Sequence, residues 1–589
     1  MTYGEPPGPE PCSRFLIFSP QRIKSLGRTY KIKAFADDLI LTTETPQESI
    51  ARALEIIEEY GSLAGFKLNK TKTKMLVKNM PEKDIERLEK TTGIKVCQKA
   101  KYLGVWITPK NIDLFQNNYI PIWNNIKYNM EKWSKLKLSL LGRVATVKML
   151  VLPKLLFLFQ TIPILGGEDK LKEWQRDIAR YIWQGQRPRI KHLNMIDIKT
   201  RGGLALPDII LYYDAACLTW IAEWCRLEDL ELLDLEGFNL RFGWHAYLNY
   251  DKHKIHKDFS NHIIRGSIMK VWLKYKHLLE QHMPWWNSPL EAQERRGHAR
   301  TTKWPMYLDL LERRDKKLEL KSYENLKNTV KDWFTYYQLF ERYKVDSKIG
   351  FEKEPSKFYL EVLNSKTKTL SKAYRILLDW MVMEEQIKTS MTRWAQDVGQ
   401  NIMLARWENL WKVNWSFTAC NSIRENMIKM FYRWHITPYK LSKMYRNASK
   451  KCWRCDEVGN WYHLWWECKQ IESFWREIHL EIELICNIKF KRTPEAYLIG
   501  ITTPDIPMRV RSFFLYATTA AKTLIGTKWK SATVPNIKDW MNKTLEYVEL
   551  AHLTEKIKDN PKEKFIKEWN DFIQYLKKRC NTNTVAIME

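Results

Sequence analysis

Residues 31–43 read KIKAFADDLILTT: polar and apolar residues alternate, then run apolar, around the acid pair Asp37-Asp38. Period-two alternation marks a strand, and an acid pair between two such runs reads as the turn that joins them. The stretch therefore predicts two strands with both carboxylates at the connection. Immediately downstream, Thr45-Pro46-Gln47-Glu48 has the chemistry of a helix start. Thr45 can cap, Pro46 suits the first helical position and Glu48 closes a capping box. Ile50, Leu54 and Ile57 follow at helical spacing, and Gly61 and Gly65 mark the end. Lys67–Val77 predicts a further strand and Lys101–Thr108, KYLGVWIT, another. Upstream, residues 1–30 are rich in Pro, Gly and Ser without a clear period and read as an irregular lead-in.

From about residue 111 the pattern turns helical. Residues 101–200 hold 17 Lys/Arg against 7 Asp/Glu, whereas residues 201–250 hold 3 against 8. The acids of Glu223–Glu236 predict a junction or a face turned away from a polyanion. Residues 251–400 read as long helices with charged turns such as Glu312–Lys317. The 27 tryptophans recur in helical segments, as at Trp123 and Trp133 or Trp174 and Trp183. Core packing is the simpler role for them, and stacking on unpaired bases the alternative.

The whole chain of 589 residues carries a net charge of +29. Nucleic acid and anionic lipid are the common partners of such a charge, and a solvated basic surface is the bland alternative. No lipidation signal or long basic amphipathic helix favours lipid. Met149–Phe159, the longest apolar stretch, is interrupted by Pro153 and Lys154 and is too short to cross a bilayer. The N-terminus lacks the apolar core of a signal peptide. Ten cysteines in so long a chain do not read as a disulfide framework. Secreted and membrane-spanning classes are therefore disfavoured.

Two C-terminal features carry chemistry. Residues 424–451 hold Arg424, Lys429, Arg433, Lys440, Lys443, Arg446, Lys450 and Lys451 against the single acid Glu425, interleaved with Trp434 and other aromatics. Cations can neutralise phosphates while rings take unpaired bases; a solvated basic helix face is the alternative. Directly after it, Cys452, Cys455, His463 and Cys468 form a Cys3His set within 17 residues. Zinc prefers four thiolate or imidazole ligands in a tetrahedron, and a full set leaves no open position, so a structural Zn2+ is expected. Unrelated buried cysteines near a histidine are the alternative. Arg454 and the adjacent tryptophans can pack this module or contact bases. A bare Asp-Asp pair is more often a solvated turn, although two such carboxylates can also hold a divalent cation beside a phosphate.

The order of motifs adds a resemblance. F-A-D-D at residues 35–38, the run Gly65–Thr73 fitting G-x-x-x-N-x-x-K-T, and Tyr102-Leu103-Gly104 follow one another. Further on come NYIPIWNNIKYNMEKW, LLGRVATVKMLVLPKLLFLFQTIPI, RGGLALPD, ITPYKL and WWECK. This series resembles the reverse transcriptase polyprotein of long interspersed element (non-LTR) retrotransposons, from about residue 30 to the C-terminus. The resemblance implies Asp37 as ligand of the catalytic Mg2+, Asp38 as its support, and Lys72 near the incoming triphosphate. In Lys72 the alternative is one more solvated lysine. Tyr102, Leu103 and Gly104 would position the primer end.

The resulting expectation is an α+β, mostly helical chain. It comprises an irregular lead-in (1–30), a partial β palm (31–110), a helical thumb (111–200), a helical wrist-like region (201–395) and a C-terminal nucleic-acid-binding segment (396–589). The zinc-knuckle-like module spans 452–468, with a middle spacer longer than that of a retroviral knuckle. Expected partners are RNA, an RNA–DNA hybrid, a full-length retrotransposon polymerase and its RNA-binding companion, in cytoplasmic ribonucleoprotein and nucleus. The first Asp of the chain is Asp37, whereas the family's site uses a further Asp from an upstream motif. A chain truncated above F-A-D-D, without fingers or endonuclease and inactive alone, is therefore expected. A non-enzymatic RNA-binding protein or an inactive relic is the alternative.

Overall fold

The computed structural model describes residues 14–18, 24–25, 28–29, 32–35, 38–43, 46–65, 67–164, 168–229, 232–233, 236–237, 240–250, 257–259, 262–293, 304–314, 317–330, 332–382, 384–559 and 562–579. It is mostly helical with a few small strands, in keeping with an α+β chain. The sheet near the N-terminus has the order Ile32–Phe35 (β4), Asp38–Thr42 (β5), Arg14–Phe18 (β1), Lys74–Leu76 (β6). Strands β4 (Ile32–Phe35) and β5 (Asp38–Thr42) are the two read from KIKAFADDLILTT, paired antiparallel with Phe35 opposite Asp38. Two residues, Ala36 and Asp37, thus connect them; both lie outside the described residues, as does the cap Thr45.

Strand β1 (Arg14–Phe18, RFLIF) corrects the reading of residues 1–30 as irregular throughout. It lies between β5 and β6 (Lys74–Leu76), parallel to both. A short unbroken apolar run suits a strand with neighbours on either side. Two further strands from the same stretch, β2 (Lys24–Ser25) and β3 (Arg28–Thr29), pair with each other.

Helix α1 (Pro46–Ala64) starts at the proline as read, but Gly61 is buried inside it and only Gly65, at φ +77°, ends it. Ile50 and Leu54 of α1 join Leu41, Met75, Leu88 and Ile94 in one apolar core. The strand predicted over Lys67–Val77 shrinks to three residues because Asn69 ties the preceding segment into a turn. Its main-chain oxygen accepts from Lys72 N and Thr73 N, and its side-chain oxygen from Thr71 Oγ1 and Lys72 N. Strands β7 (Ala100–Tyr102) and β8 (Val105–Ile107) form a separate hairpin.

Packing divides the chain into two compact units. The first comprises Met1–Asn129, Val151–Gln175 and Ile209–Leu377; the second comprises Met130–Leu150, Arg176–Asp208 and Leu378–Glu589. In the first, Trp123 stacks on Trp174 with ring centroids 4.6 Å apart. Two of the acids at 201–250 serve as internal acceptors: Asp214 receives Lys274 Nζ and Tyr275 Oη, and Glu236 receives Trp224 Nε1. Glu312–Lys317 is no plain turn between helices. Leu311–Arg314 (β9) and Lys317–Leu320 (β10) pair antiparallel, and Leu311 and Leu320 pack on a core around Tyr307 and Leu339. The same unit holds a buried carboxyl pair, Glu280 and Glu352. Burial raises both, and Glu352 is pushed up to about 9 by burial and by its hydrogen bond and repulsion with Glu280.

The second unit is built on long helices, among them Asn421–Phe431, Lys469–Cys486, Met508–Thr527 and Ile537–Ile557. Trp394, Trp407, Trp411, Trp465, Trp475, Trp540 and Trp569 are fully buried here, so these rings are core. In RGGLALPD, a Cβ on Gly202 would sit 2.7 Å from Trp411 and one on Gly203 1.9 Å from the Asp197 carbonyl. The glycine pair lets Arg201 clamp Asp197 and Asp379.

Candidate functional sites

Three sites follow from this framework. The first joins the β4–β5 and β7–β8 hairpins of the first unit. Asp38 opens β5, where it is half-buried and in register with Arg14 of β1. Tyr102 closes β7, and Leu103 (φ +43°) and Gly104 (φ +86°) form the two-residue turn to β8. Two consecutive left-handed residues make the tight hairpin turn whose twist matches its strands. A Cβ on Gly104 would stand 3.1 Å from Phe157 Cζ, so the turn lies close against the helix Leu152–Thr161. Tyr102 packs with Ile40, Leu76, Ala100 and Ile107. Burial first, and then the negative charge of Asp38, raise its phenol above the usual range. The structure thus brings Asp38 and Tyr102 into one neighbourhood. Lys72 is half-buried on the turn that Asn69 shapes, and Thr73 beside it is buried with its hydroxyl on the Asn69 carbonyl. Asn69 and Thr73 therefore hold the backbone at Lys72. Asp37 lies outside the described residues.

The second site is the cysteine–histidine cluster of the second unit. One ligand atom from each of Cys452, Cys455, His463 and Cys468 lies within 4.8 Å of all the others. The tight turn after Cys452 is closed by its N–H on the Glu457 carbonyl at 2.8 Å. Asn460 Oδ1 accepts from His463 N and starts the π-helical turn His463–Glu467, which delivers Cys468. Cys468 Sγ is 4.0 Å from Cys452 Sγ and 3.9 Å from Cys455 Sγ, and His463 Nε2 is 3.2 Å from Cys455 Sγ. A tetrahedron with Zn–S near 2.3 Å has S–S edges of about 3.8 Å, so the residues present fit such an ion. Burial lowers His463, which favours the neutral imidazole that ligates, and raises Cys455 to about 11. A bound cation would reverse the second effect by stabilising thiolate.

The third site is a cleft of about 1320 Å3 in the second unit. Its walls come from Arg187–Asn194, the helix Glu384–Val398, the segment 431–445 and residues 460–467 of the metal module. Seven cations line it, Arg187, Arg189, Lys191, Arg393, Arg433, Lys440 and Lys443, against the carboxylates Asp397 and Glu467. Arg433 pairs with Asp397 at 2.6 Å. Among the described residues no ion pair engages Arg187, Arg189, Lys191, Arg393 or Lys440. Burial, then Lys429 and Arg189, push His435 down to about 4. Rings are interspersed: Trp434 stacks on Trp183 at 5.6 Å, Lys443 stands over Tyr439, and Tyr445 is 61% exposed.

Of the cations read from the sequence, Arg433, Lys440 and Lys443 line this cleft together with Trp434. Arg446, Lys450 and Lys451 are exposed outside its lining, and Lys451 pairs with Asp456. Three others turn inward. Arg424 donates to the Trp415 carbonyl, Lys429 pairs with Glu425, and Arg454 donates to the carbonyls of Lys528 and Trp529. The stretch is not one amphipathic helix: Asn421–Phe431 ends, Arg433 takes φ +50°, and a second helix runs Pro438–Met444. Arg187, Arg189, Lys191 and Arg393 were not singled out from the sequence, although the run QRPRIK at 186–191 is a local basic signal.

No helix among the described residues is long and apolar enough to cross a membrane. Residues 1–107, which contain the sheet, the Asn69 turn and the β4–β5 and β7–β8 hairpins, match the family model described as reverse transcriptase (RNA-dependent DNA polymerase).

Proposed function

We propose that this chain is a reverse-transcriptase-type protein of the non-LTR retrotransposon lineage. Its N-terminal hairpins would serve a polymerase site and its second unit would hold RNA or an RNA–DNA hybrid. The observation that carries the reading is the meeting of Asp38 and Tyr102, from two motifs far apart in sequence, inside the stretch that matches the reverse transcriptase model. Asp37 and Asp38 would ligate Mg2+, which supplies charge stabilisation to a phosphoryl transfer. Lys72, on its Asn69-braced turn, would face the triphosphate; Tyr102, Leu103 and Gly104 would align the primer end. The seven cations and exposed rings of the cleft suit phosphates and unpaired bases. Cytoplasmic ribonucleoprotein and nucleus are the compartments this role requires.

Two metal ions need more acidic ligands than an adjacent pair offers. The purified chain with Mg2+ and poly(rA)/oligo(dT) is therefore expected to bind the hybrid without extending it. Templated incorporation that Asp37→Ala abolishes would mean that the site is complete. Affinity for RNA and hybrid no greater than for heparin would refute the reading. The non-enzymatic alternative, RNA binding alone, is favoured by the cleft, which uses none of the hairpin residues.

A further inference from the structure

Arg454 stands between two of the clustered cysteines and is 6% exposed. Its backbone N–H donates to Cys452 Sγ at 3.4 Å, and its carbonyl accepts from Gln470 Nε2 at 2.8 Å. Its Nη2 donates to the carbonyls of Lys528 at 2.8 Å and Trp529 at 3.4 Å, just past the helix Met508–Thr527. Nε and Nη1 are buried without a hydrogen-bond partner, and no carboxylate among the described residues pairs with the guanidinium. Burial works against its charge, and the thiols of Cys452, Cys468 and Cys455 offset that when they are ionised. A guanidinium cannot discharge near neutral pH, and burying it without a counter-charge is costly.

The metal site has the opposite problem. Three thiolates, a neutral imidazole and a divalent ion sum to a charge of −1, which is equally costly to bury alone. The two charges cancel. We propose that Arg454 is the counter-charge of a mono-anionic complex between Cys452, Cys455, His463, Cys468 and a divalent cation, and that it sets the affinity for that cation. The Lys528 and Trp529 carbonyls hold the guanidinium in place, so Arg454 is a positioning residue that touches no substrate. The rival role is purely structural: a bolt from the module to those two carbonyls, indifferent to the charge of the centre.

The inference rests on the cluster holding an ion, and that premise has its own readout. The full chain should bind one equivalent of Zn2+, and Co2+ in its place should show a thiolate-to-metal charge-transfer band. Competition with a chromophoric chelator then gives the Zn2+ affinity of four proteins: the wild type, Arg454→Met, Cys455→His and the double variant. Cys455→His makes a neutral Cys2His2 centre that needs no counter-charge. Losing an outer partner of a metal site typically costs about 10–100-fold in affinity. Arg454→Met is therefore expected to weaken Zn2+ binding at least tenfold beside three cysteines, and less than threefold in the Cys455→His background. Arg454→Lys, which keeps the charge, should stay within threefold of wild type. Equal losses from Arg454→Met in both backgrounds would overturn the proposal in favour of the bolt. So would a loss below threefold beside three cysteines, or a lysine variant as weak as the methionine one. If Arg454→Met does not fold, recovery of folding and Zn2+ binding in the double variant supports the proposal, and failure there overturns it.

Discussion

Replacing Arg187, Arg189 and Lys191 together by glutamine removes three of the five cleft cations that make neither an ion pair nor a cation–ring contact among the described residues. All three side chains are exposed, so the fold should tolerate the change. For single strands, log K falls with log salt by about 0.7 per neutralised phosphate. If each of the five cations meets one phosphate, the wild-type slope is about 3.5, and affinity drops about 100-fold between about 50 and 200 mM salt. The triple variant keeps two such contacts, a slope of about 1.4 and a drop of about sevenfold over the same range. Fluorescence anisotropy of a labelled single-stranded RNA against salt reads both slopes. A matched triple variant, Lys530, Lys538 and Lys556 to glutamine, removes the same charge from exposed positions outside the cleft. Its slope should stay near the wild-type value. Equal slopes for the two triple variants would show that the cleft holds no special place in binding. An unchanged slope in both would refute the electrostatic account of the second unit altogether.

Other outcomes follow from the same geometry. Removing Zn2+ with a chelator, or replacing Cys455 by serine, should lower the melting temperature; an ion at 1,000 times its Kd contributes about 4 kcal/mol, and near-UV circular dichroism should report the loosened packing of Trp461 and Trp465. Gly104→Ala forces a left-handed residue and crowds Phe157, so denaturant unfolding should show a loss of about 1 kcal/mol or more. Glu352 has a raised pKa, so the folded chain keeps a proton that the unfolded chain has released. Its contribution is therefore fully present below about pH 4.5 and is lost as pH rises toward 9, by at most about 1.4 kcal/mol per unit. Glu352→Gln should flatten that part of the stability–pH curve, and an unchanged curve would refute the raised Glu352 carboxyl.

What the sequence revealed depended on how local the signal was. The β4–β5 hairpin was legible because period-two alternation and a two-residue connection lie within 13 residues. The metal set was legible for the same reason. Strand β1 was not: four apolar residues behind Arg14 sit in a Pro- and Gly-rich window, and the partners of this strand come from β5 and β6, further along the chain. The hairpin Leu311–Leu320 was hidden by its charges, since only its ends reach the core. At the cleft, counting cations found Arg433, Lys440 and Lys443 but could not say that Arg424, Lys429 and Arg454 turn inward. Side-chain direction there is set by packing against helices distant in sequence. Arg187 and Arg393 belong to the same wall only through the fold.

The position of β1 has a practical consequence. An interior strand satisfies the main-chain groups of both its neighbours, so its loss strips β5 and β6 together. A chain beginning after Phe18 would present two raw sheet margins, each a template for pairing with another molecule. Shortened versions of this protein should therefore self-associate before they lose their helices, and solubility would be the first property to report the damage.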